Sequence, residues 1–475
     1  MLKVSMLPLD PSSCRPRALR VFAVALLSVA FFAPGAPAQS ASATLTAQAS
    51  SSAAPVSITL AQAIRRAQAN EPSFATAKAN SASAALDRSI ARAGLLPSVR
   101  LYNQDIYTQP NGLYAEDGEG VTSPNPKFVA NDSRPREYIA QGVVDETLGL
   151  AGPAAVRRAG AAAALARAQL EIARRGLVVT VTGLFYGQLA AEHKLAIAQT
   201  AYQDAAHFTT ITTDREKQGE AAHADVVKAQ LTQQQQDRNL QDAKLAAETA
   251  RMNLAVLLFP DPLTPFSLKA DDSITPLASF ADVKAAASRN NPDLRSALAA
   301  LGVSNADVMS ARAALLPSLG LNFAYGIDAN EFAANGPMTP SGIQARNLGY
   351  SATATINLPV WDWLSTEHKV KQSEIRRDAA RVALSATQRQ LIADLQTDYA
   401  AAQTAQQELA SLDLSVKTAA ESLRLAELRY KSGEALVLEV VDAQNTYVAA
   451  ENAREDGRVR YRLALATLQT LTGTL

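Results

Sequence analysis

The fold is decided by a short stretch that occurs twice, ARAGLLPS at residues 91–98 and ARAALLPS at residues 311–318. A second pair of matching stretches lies further along the chain, with REKQGEA at residues 215–221 after the first copy and RYKSGEA at residues 429–435 after the second. Several matches in the same order indicate a tandem duplication, and a period of about half the chain is typical of a duplicated domain half rather than a short-repeat solenoid. We therefore predict two structural repeats, residues 57–265 and residues 266–475.

Each repeat predicts the same order of elements. A short helix is broken by Asn-x-Pro, at residues 70–72 and 290–292, where proline suits the first turn of the helix that follows. That second helix ends near Leu-Leu-Pro-Ser, because the residue before proline is displaced from the α region. A strand, a long loop and a second strand follow, and then a long helix, a glycine turn and a returning helix. The expected fold is mainly α, built from a duplicated helix–strand–strand–helix unit.

The strands are clearest in the second repeat. Runs starting at Leu319 and Leu348 alternate apolar with small or polar residues for about ten positions, the length of a tilted membrane strand. Trp361 and Trp363 follow the second run, where an interfacial aromatic girdle would lie. The runs at residues 99–108 and 137–148 alternate less regularly, and a soluble sandwich is the alternative for all four. The loops at residues 109–136 and 329–347 are expected to be external.

Four strands cannot close a membrane barrel, since the smallest such barrels have about eight. After residue 32 no stretch reaches the ~20 apolar residues of a membrane helix, so a membrane crossing would need strands. An open strand edge in lipid leaves backbone groups unpaired. Oligomerisation is therefore required, with twelve strands from a trimer or eight from a dimer.

The long helices carry a heptad pattern. Residues 364–431 contain neither proline nor glycine, so one helix there would extend about 100 Å. Sustained heptad spacing predicts coiled-coil packing. The two rows are Leu395, Ala402, Leu409, Val416, Leu423 and Tyr430, and Ala405, Leu412, Ala419 and Ala426.

The N-terminus has the pattern of a secretory signal. Three arginines precede an apolar run at residues 21–32, and Ala-Pro-Ala at residues 36–38 fits signal peptidase. We predict a signal peptide over residues 1–38 and a disordered linker over residues 39–56. Cys14, the only cysteine, lies within the signal, so the mature chain is expected to have no thiol chemistry.

Composition and motifs argue against several function classes. Lys+Arg and Asp+Glu balance at 45 each, which disfavours nucleic acid as a partner. Nothing resembles a nucleophile elbow or a phosphate-binding loop, so no catalytic residues, no cofactor and no enzymatic activity are expected. The four histidines lack metal-ligand spacing, and no metal site is predicted. They are His193, His207, His223 and His368.

The chain resembles the TolC family of outer-membrane efflux proteins over nearly all of the mature sequence. The resemblance rests on the duplicated Leu-Leu-Pro-Ser, the RYKSG turn at residues 429–433 and LEVVDAQ at residues 438–444. It implies a homotrimer with a twelve-stranded β-barrel in outer-membrane lipid, continued by a periplasmic α-helical coiled-coil barrel. It also implies docking by a periplasmic adaptor protein and an inner-membrane efflux pump or ABC transporter.

The resemblance also implies roles for residues at the helical turns. Acidic residues beyond the turn ring a closed periplasmic entrance, and the matching positions are Glu439 and Asp442. Tyr430 and Asp225 match a closing contact. Some members have an arginine where this chain has Ala435. The turns themselves would form the adaptor contact, and their residues are Gly219, Glu220, Gly433, Glu434 and Leu436.

Two other classes compete with an export duct. A periplasmic coiled-coil adaptor or structural protein would share the heptads but lack duplicated strand pairs with membrane-type alternation. A secreted enzyme on a helical scaffold would need clustered polar residues, which the sequence does not present. Acidic residues beyond the turns could also be a solvated helix face.

Overall fold

The structure is a computed structural model that describes residues 56–107, 114–116, 122–124, 136–269, 275–338 and 340–473. These residues belong to one compact unit, Pro55–Leu475. The predicted signal peptide, residues 39–55 of the predicted linker and most of the predicted loop at residues 109–136 lie outside the described residues.

The two repeats fold in the same order, which confirms the predicted unit. The first comprises β1 (Val56–Ile58), α1 (Leu60–Asn70), α2 (Pro72–Ala93), β2 (Ser98–Tyr107), β3 (Tyr114–Glu116), β4 (Thr122–Pro124), β5 (Arg136–Leu148), α3 (Ala151–Lys217) and α4 (His223–Leu258). The second comprises β6 (Phe266–Leu268), α5 (Phe280–Asn290), α6 (Pro292–Ala313), β7 (Ser318–Ala329), β8 (Asn335–Met338), β9 (Gln344–Arg346), β10 (Leu348–Asn357), α7 (Ser365–Lys431) and α8 (Val437–Thr472). The repeat boundaries at residues 265 and 266 stay a prediction.

The Asn-x-Pro steps work as the sequence predicts. Glu71 ends α1 and caps α2, where its carboxylate accepts a hydrogen bond from the Phe74 backbone N–H. Asn291 does the same between α5 and α6, accepting from the Leu294 N–H. Each cap satisfies a backbone donor that the new helix cannot pair internally. The chain therefore turns sharply at equivalent places in both repeats.

Four long strands form one antiparallel sheet in the order β10-β7-β5-β2. The repeats join through β5 and β7, with Tyr138 opposite Ala329 and Leu148 opposite Leu319. Registers across the sheet place the apolar runs on one side, which we name the apolar face. In β7 and β10 it carries Leu319, Leu321, Phe323, Tyr325, Ile327, Leu348, Tyr350, Ala352, Ala354 and Ile356.

The opposite side, the polar face, carries a hydrogen-bonded group near one end of the strands. Asn322 donates from Nδ2 to Asp145 Oδ1 at 2.6 Å, and Arg100 Nε lies 3.0 Å from Asp145 Oδ2. The sheet thus has one side suited to an apolar medium and one suited to water. Its outer strands, β2 and β10, each pair with a single neighbour among the described strands.

The sheet continues into two helices of 67 residues, α3 and α7, each about 100 Å long. Helices α2 and α4 pack along α3, α6 and α8 pack along α7, and α3 also contacts α6 and α8. The predicted heptad positions Leu395, Ala402, Leu409 and Val416 are buried. None of the helices in the described part of the chain combines the length and apolar character needed to cross a membrane.

Two short strands give a second junction between the repeats. β1 pairs in parallel with β6, with Val56 opposite Phe266 and Ile58 opposite Leu268. Ile58 lies in an apolar core with Val181, Phe185 and Leu254. The start of the first repeat and the start of the second are therefore held side by side.

Candidate functional site: the two helical tips

Both helical hairpins end in turns of the same geometry. Gly219 and Gly433 have φ angles of +74° and +77°, which glycine adopts without strain. The Glu220 N–H donates to the Arg215 carbonyl, and the Glu434 N–H donates to the Arg429 carbonyl, both at 2.8 Å. This six-residue closure is the Schellman arrangement that satisfies carbonyls at a helix end. The duplicated sequence thus builds two equivalent tips.

An apolar cluster lies just behind the tips and joins the two hairpins. Ala435 packs at the border of this cluster. Some members of the resembled family have arginine at this position, whereas here the residue contributes an apolar contact. The buried members are Phe208, Ala229, Tyr430, Val437, Val440 and Val441.

Tyr430 is the centre of that cluster, with 6 % of its surface exposed. Its ring centroid lies 5.0 Å from that of Phe208, and its hydroxyl donates to Thr212 Oγ1 at 3.3 Å. The hydroxyl hydrogen bond of Tyr430 therefore goes to α3. The structure does not join Tyr430 to Asp225, which lies half-buried in the first turn of α4.

Glu439 and Asp442 are both exposed on one side of α8, opposite the buried Val440 and Val441. Glu439 is not an isolated charge, because Arg429 Nη1 lies 3.0 Å from its Oε2. For Asp442 no ion pair is found among the described residues. The two acidic positions therefore differ in their local charge, a difference that the sequence alone does not reveal.

The outer surface of the tips combines acidic and apolar side chains. Glu220 and Glu434 are exposed, and Leu436 is 68 % exposed although it is a large apolar residue. Leu438, the second residue of α8, is similarly exposed. Exposed apolar groups beside charges are typical of a protein-contact surface.

Arg215 and Thr212 were missed by sequence reasoning. Arg215 donates from Nη1 to the Tyr430 carbonyl at 2.5 Å, and its guanidinium carbon lies 4.9 Å from the Tyr430 ring centroid. The only sequence signal for Arg215 was that the duplication matches it with Arg429. That match does not indicate that only one of the two arginines reaches the other hairpin.

A second polar cluster ties α3 to α8 away from the tips. Glu455 has 5 % of its side chain exposed and lies 2.8 Å from His193 Nδ1, with Arg458 Nη1 at 3.2 Å and Arg454 Nε at 3.3 Å. Burial alone would raise the pKa of Glu455, but the His193 hydrogen bond and the two arginine charges outweigh it and hold the pKa below its ordinary value. His193, for which the sequence predicts no metal-binding role, contacts this buried carboxylate.

In the described ranges, no group of three His, Cys, Asp or Glu side chains is placed to hold a metal ion. The tips offer charge and exposed apolar groups beside a packed junction between two hairpins. These properties suit a docking role.

Comparisons with known proteins point the same way. Residues 285–474 match the family model described as "Outer membrane efflux protein". Outer membrane protein OprJ of Pseudomonas aeruginosa is 26 % identical over 300 residues, covering 62 % of this chain and 61 % of OprJ. Protein CyaE of Bordetella pertussis is 25 % identical over 301 residues, covering 61 % and 59 %. The chain thus spans about three fifths of the length of the curated relatives it matches.

Solved structures share the fold over most of the chain. The CmeC outer membrane channel of Campylobacter jejuni superposes with a TM-score of 0.72 at 18 % identity, covering 87 % of this chain and 85 % of CmeC. The outer membrane protein VceC of Vibrio cholerae gives a TM-score of 0.71 at 18 % identity, covering 87 % and 96 %. With the duplicated unit and the two-faced sheet, these matches make the chain similar to the outer membrane efflux proteins, in sequence over residues 285–474 and in fold over most of the chain.

Proposed function

We propose that this protein is the outer-membrane channel component of a tripartite efflux or type I secretion system. It acts as a passive export duct that extends from the outer membrane into the periplasm. The observation that carries this proposal is the antiparallel sheet with one apolar face, which continues directly into helices of 67 residues. A sheet of this kind suits lipid on one side and water on the other.

The sheet supports a homotrimer. Strands β2 and β10 run antiparallel to each other across the order β10-β7-β5-β2, so β2 of one chain can pair with β10 of the next. Three chains close a twelve-stranded barrel without an edge left in lipid. The long helices of the three chains, set around the same axis, form the periplasmic tube.

The tips support docking of other components. A periplasmic adaptor protein binds the exposed surface around Glu220, Glu434 and Leu436, and links the duct to an inner-membrane pump or ABC transporter. Glu439, Asp442, Tyr430 and Asp225 lie behind that surface and form the periplasmic gate. Transport energy comes from the inner-membrane partner, so the duct needs no cofactor, metal or catalytic group of its own.

The competing function is a periplasmic coiled-coil adaptor or structural protein. An adaptor or structural protein in the periplasm is not expected to have a sheet with exposed large apolar residues on one face. This sheet exposes Phe323, Tyr325, Tyr350 and Ile356. Water contact at so many large apolar groups is unfavourable. The exposed apolar face therefore favours the duct.

The test is a pair of charge substitutions on adjacent residues of β7. Phe323 lies on the apolar face and Asn322 on the polar face. Phe323→Lys should prevent outer-membrane insertion, since lysine in the lipid-facing band costs about 2–4 kcal/mol at the midplane. Asn322→Lys should insert and conduct. Membrane fractionation and planar-bilayer conductance are the measurements.

Two results would overturn the proposal. One is equal insertion of both variants, which would remove the lipid assignment of the apolar face. The other is purification of the mature protein as an aqueous monomer without detergent.

A further inference from the structure

Glu146 is a carboxylate on the apolar face of the sheet. Its register partner in β7 is Leu321, and Leu321 in turn pairs with Ala354 of β10, so the three side chains point to the same side. The preceding residue, Asp145, lies on the polar face, where Arg100 pairs with it. Glu146 therefore places a charged group on the side of the sheet that suits an apolar medium.

The fold does not supply this carboxylate with a partner. Its Oε2 atom is covered from solvent and accepts no hydrogen bond from any of the described residues. A buried carboxylate without a hydrogen bond is unfavourable. Because β5 lies between β2 and β7, barrel closure through the outer strands β2 and β10 leaves this side of β5 facing outwards. A donor for Glu146 must therefore come from the medium outside the barrel.

Glu146 borders an open groove of about 430 Å³ on the apolar face. Leu321 and Phe323 of β7 line it together with Ala352 and Ala354 of β10, whose small side chains leave room for an occupant. The other lining residues are uncharged, so Glu146 carries the charge of the groove. An occupant that complements this groove has both apolar surface and a positive charge.

The position of Glu146 along β5 places it at the edge of the membrane rather than at its centre. β5 is 13 residues long, and at a tilt of about 40° it rises about 33 Å, more than the ~25 Å apolar band of a membrane barrel. Glu146 is the third residue from the end that leads into α3. Trp361 and Trp363, exposed beyond β10 at the same end of the sheet, are typical of the head-group level. The carboxylate therefore lies where lipid head groups begin.

We propose that Glu146 and this groove bind a phospholipid of the periplasmic leaflet whose head group ends in a primary ammonium. This inference rests on the proposed duct function, which places the apolar face in lipid. A primary ammonium has three N–H donors, and its hydrogen bonds to a carboxylate are strengthened by charge. The acyl chains of the same lipid cover Leu321 and Phe323. A quaternary ammonium has the charge but no N–H group, so the site distinguishes the two head groups.

A lipid fits this site better than a protein chain does. The groove is continuous with the exposed apolar side chains of Tyr350 and Ile356, so an occupant is surrounded by lipid. A protein segment there would need partners for its own backbone groups. Both edges of β5 and of β7 are already paired within the sheet and offer none. The lipid brings its ammonium without an unpaired backbone.

The experiment compares variants of the full chain purified in detergent. Glu146→Gln keeps the size of the side chain and removes its charge. Asp145→Asn is the matched control, because it removes a carboxylate one residue away on the polar face. Ala354→Leu narrows the groove without changing Glu146, and serves as a second variant should Glu146→Gln fold poorly. Each protein is mixed with equal amounts of phosphatidylethanolamine and phosphatidylcholine, and native mass spectrometry counts the molecules of each lipid retained.

A second measurement repeats the comparison in a bilayer. The melting temperature of each protein is measured in phosphatidylglycerol nanodiscs, to which phosphatidylethanolamine or phosphatidylcholine is added. Planar-bilayer conductance is recorded on the same preparations, so that lipid preference and channel function are read separately.

The wild-type protein and Asp145→Asn should retain about tenfold more phosphatidylethanolamine than phosphatidylcholine, as expected for a hydrogen bond to a charged group. Glu146→Gln should retain the two lipids about equally, and Ala354→Leu should show a reduced preference. In nanodiscs, phosphatidylethanolamine should raise the melting temperature of the wild type more than that of Glu146→Gln. Equal retention of both lipids by the wild type, or a preference that survives in Glu146→Gln, overturns the lipid site.

The outcomes separate the lipid site from the duct. A wild-type protein that conducts but shows no lipid preference overturns the lipid site and retains the duct. A wild-type protein that does not enter bilayers overturns both. A protein that co-purifies with the wild type but not with Glu146→Gln, while lipid retention is equal in the two, assigns the groove to a protein partner and overturns the lipid site.

Discussion

At the scale of single residues, the charge of the proposed gate region depends on which of its acidic side chains are paired with a cation. The resemblance suggests a ring of acidic side chains from Glu439 and Asp442. The structure gives Glu439 a partner, Arg429, on the same hairpin. The pair is about half exposed, so it contributes little to stability but cancels much of the local charge. Asp442 is then the stronger source of negative potential near the tips.

Replacing Arg429 tests this compensation. Arg429→Ala frees the Glu439 carboxylate, so the permeability of the channel for cations relative to anions should rise. Glu439→Ala should lower the ratio, because it removes a carboxylate and leaves the Arg429 charge uncompensated, and Asp442→Ala should lower it as well. Reversal potentials in a salt gradient across a planar bilayer give the ratio. A fall in cation preference with Arg429→Ala would contradict the assignment.

Among the described residues, side chains on strained backbone with a positive φ occur at one site, beside the sheet. Trp363 and Leu364 both have positive φ angles, 57° and 62°, which is unfavourable for residues with bulky side chains. Leu364→Gly should raise the unfolding free energy by about 0.5–1 kcal/mol, since relief of strain exceeds the added chain entropy. Thermal melts in detergent measure the change. Leu436, exposed with an ordinary φ of −85°, is the control, and its substitution by glycine should not stabilise.

At the scale of elements, the junction between β5 and β7 is the most tightly specified contact. Gly326 faces the β5 backbone so closely that a Cβ there would lie 2.1 Å from the Ala140 carbonyl oxygen. Backbone at this distance cannot move aside without disturbing the register. The junction of the two repeats therefore depends on a glycine.

Gly326→Ala should weaken the sheet by about 1–3 kcal/mol, the usual cost of overpacking. Gly349→Ala, in β10 with open space around the same atom, should be tolerated. The yield of folded oligomer and its melting temperature distinguish the two. Equal stability of both variants would show that the strands can separate at little cost.

The elements were largely predictable from sequence, because their signals are local. Proline steps, period-two alternation and heptads predict α2, β7, β10 and α7 to within a few residues of the observed bounds. The first-repeat strands alternate weakly because polar residues also occupy their apolar side, as Glu146 does. The contacts of Arg215 and Glu455 were not predictable, since they depend on which helices of the two repeats lie together. Periodicity within one helix carries no information on that pairing.

At the scale of the whole molecule, the repeats are joined at the tips, at the sheet and through the buried Glu455 between α3 and α8. Because the pKa of Glu455 is lowered in the folded protein, its ionised form stabilises the fold. That contribution is complete above the unfolded-state pKa and is lost as pH falls through the lower folded-state pKa. Acid therefore loosens the contact between the repeats.

Glu455→Gln should lower the unfolding free energy by about 1–3 kcal/mol at neutral pH, the range for hydrogen bonds to a buried charge. The difference from wild type should shrink as the pH falls below the ordinary pKa range of a glutamate side chain and the carboxylate becomes protonated. Melting temperatures measured from pH 7 to pH 3 test this. Glu408→Gln, whose exposed pair with Arg460 is screened by water, is the control and should show a much smaller difference.

Because β1 pairs with β6, the two repeats are held together by more than the covalent link between them. The repeats are linked by a short exposed segment around Leu263, yet β1–β6, β5–β7 and the α3–α8 contacts hold them without it. A protein nicked between Pro262 and Leu263 should therefore assemble from two separately synthesised fragments into a detergent-stable channel. Co-expression and co-purification through a tag on one fragment would show it, and recovery of the tagged fragment alone would show that the link directs assembly.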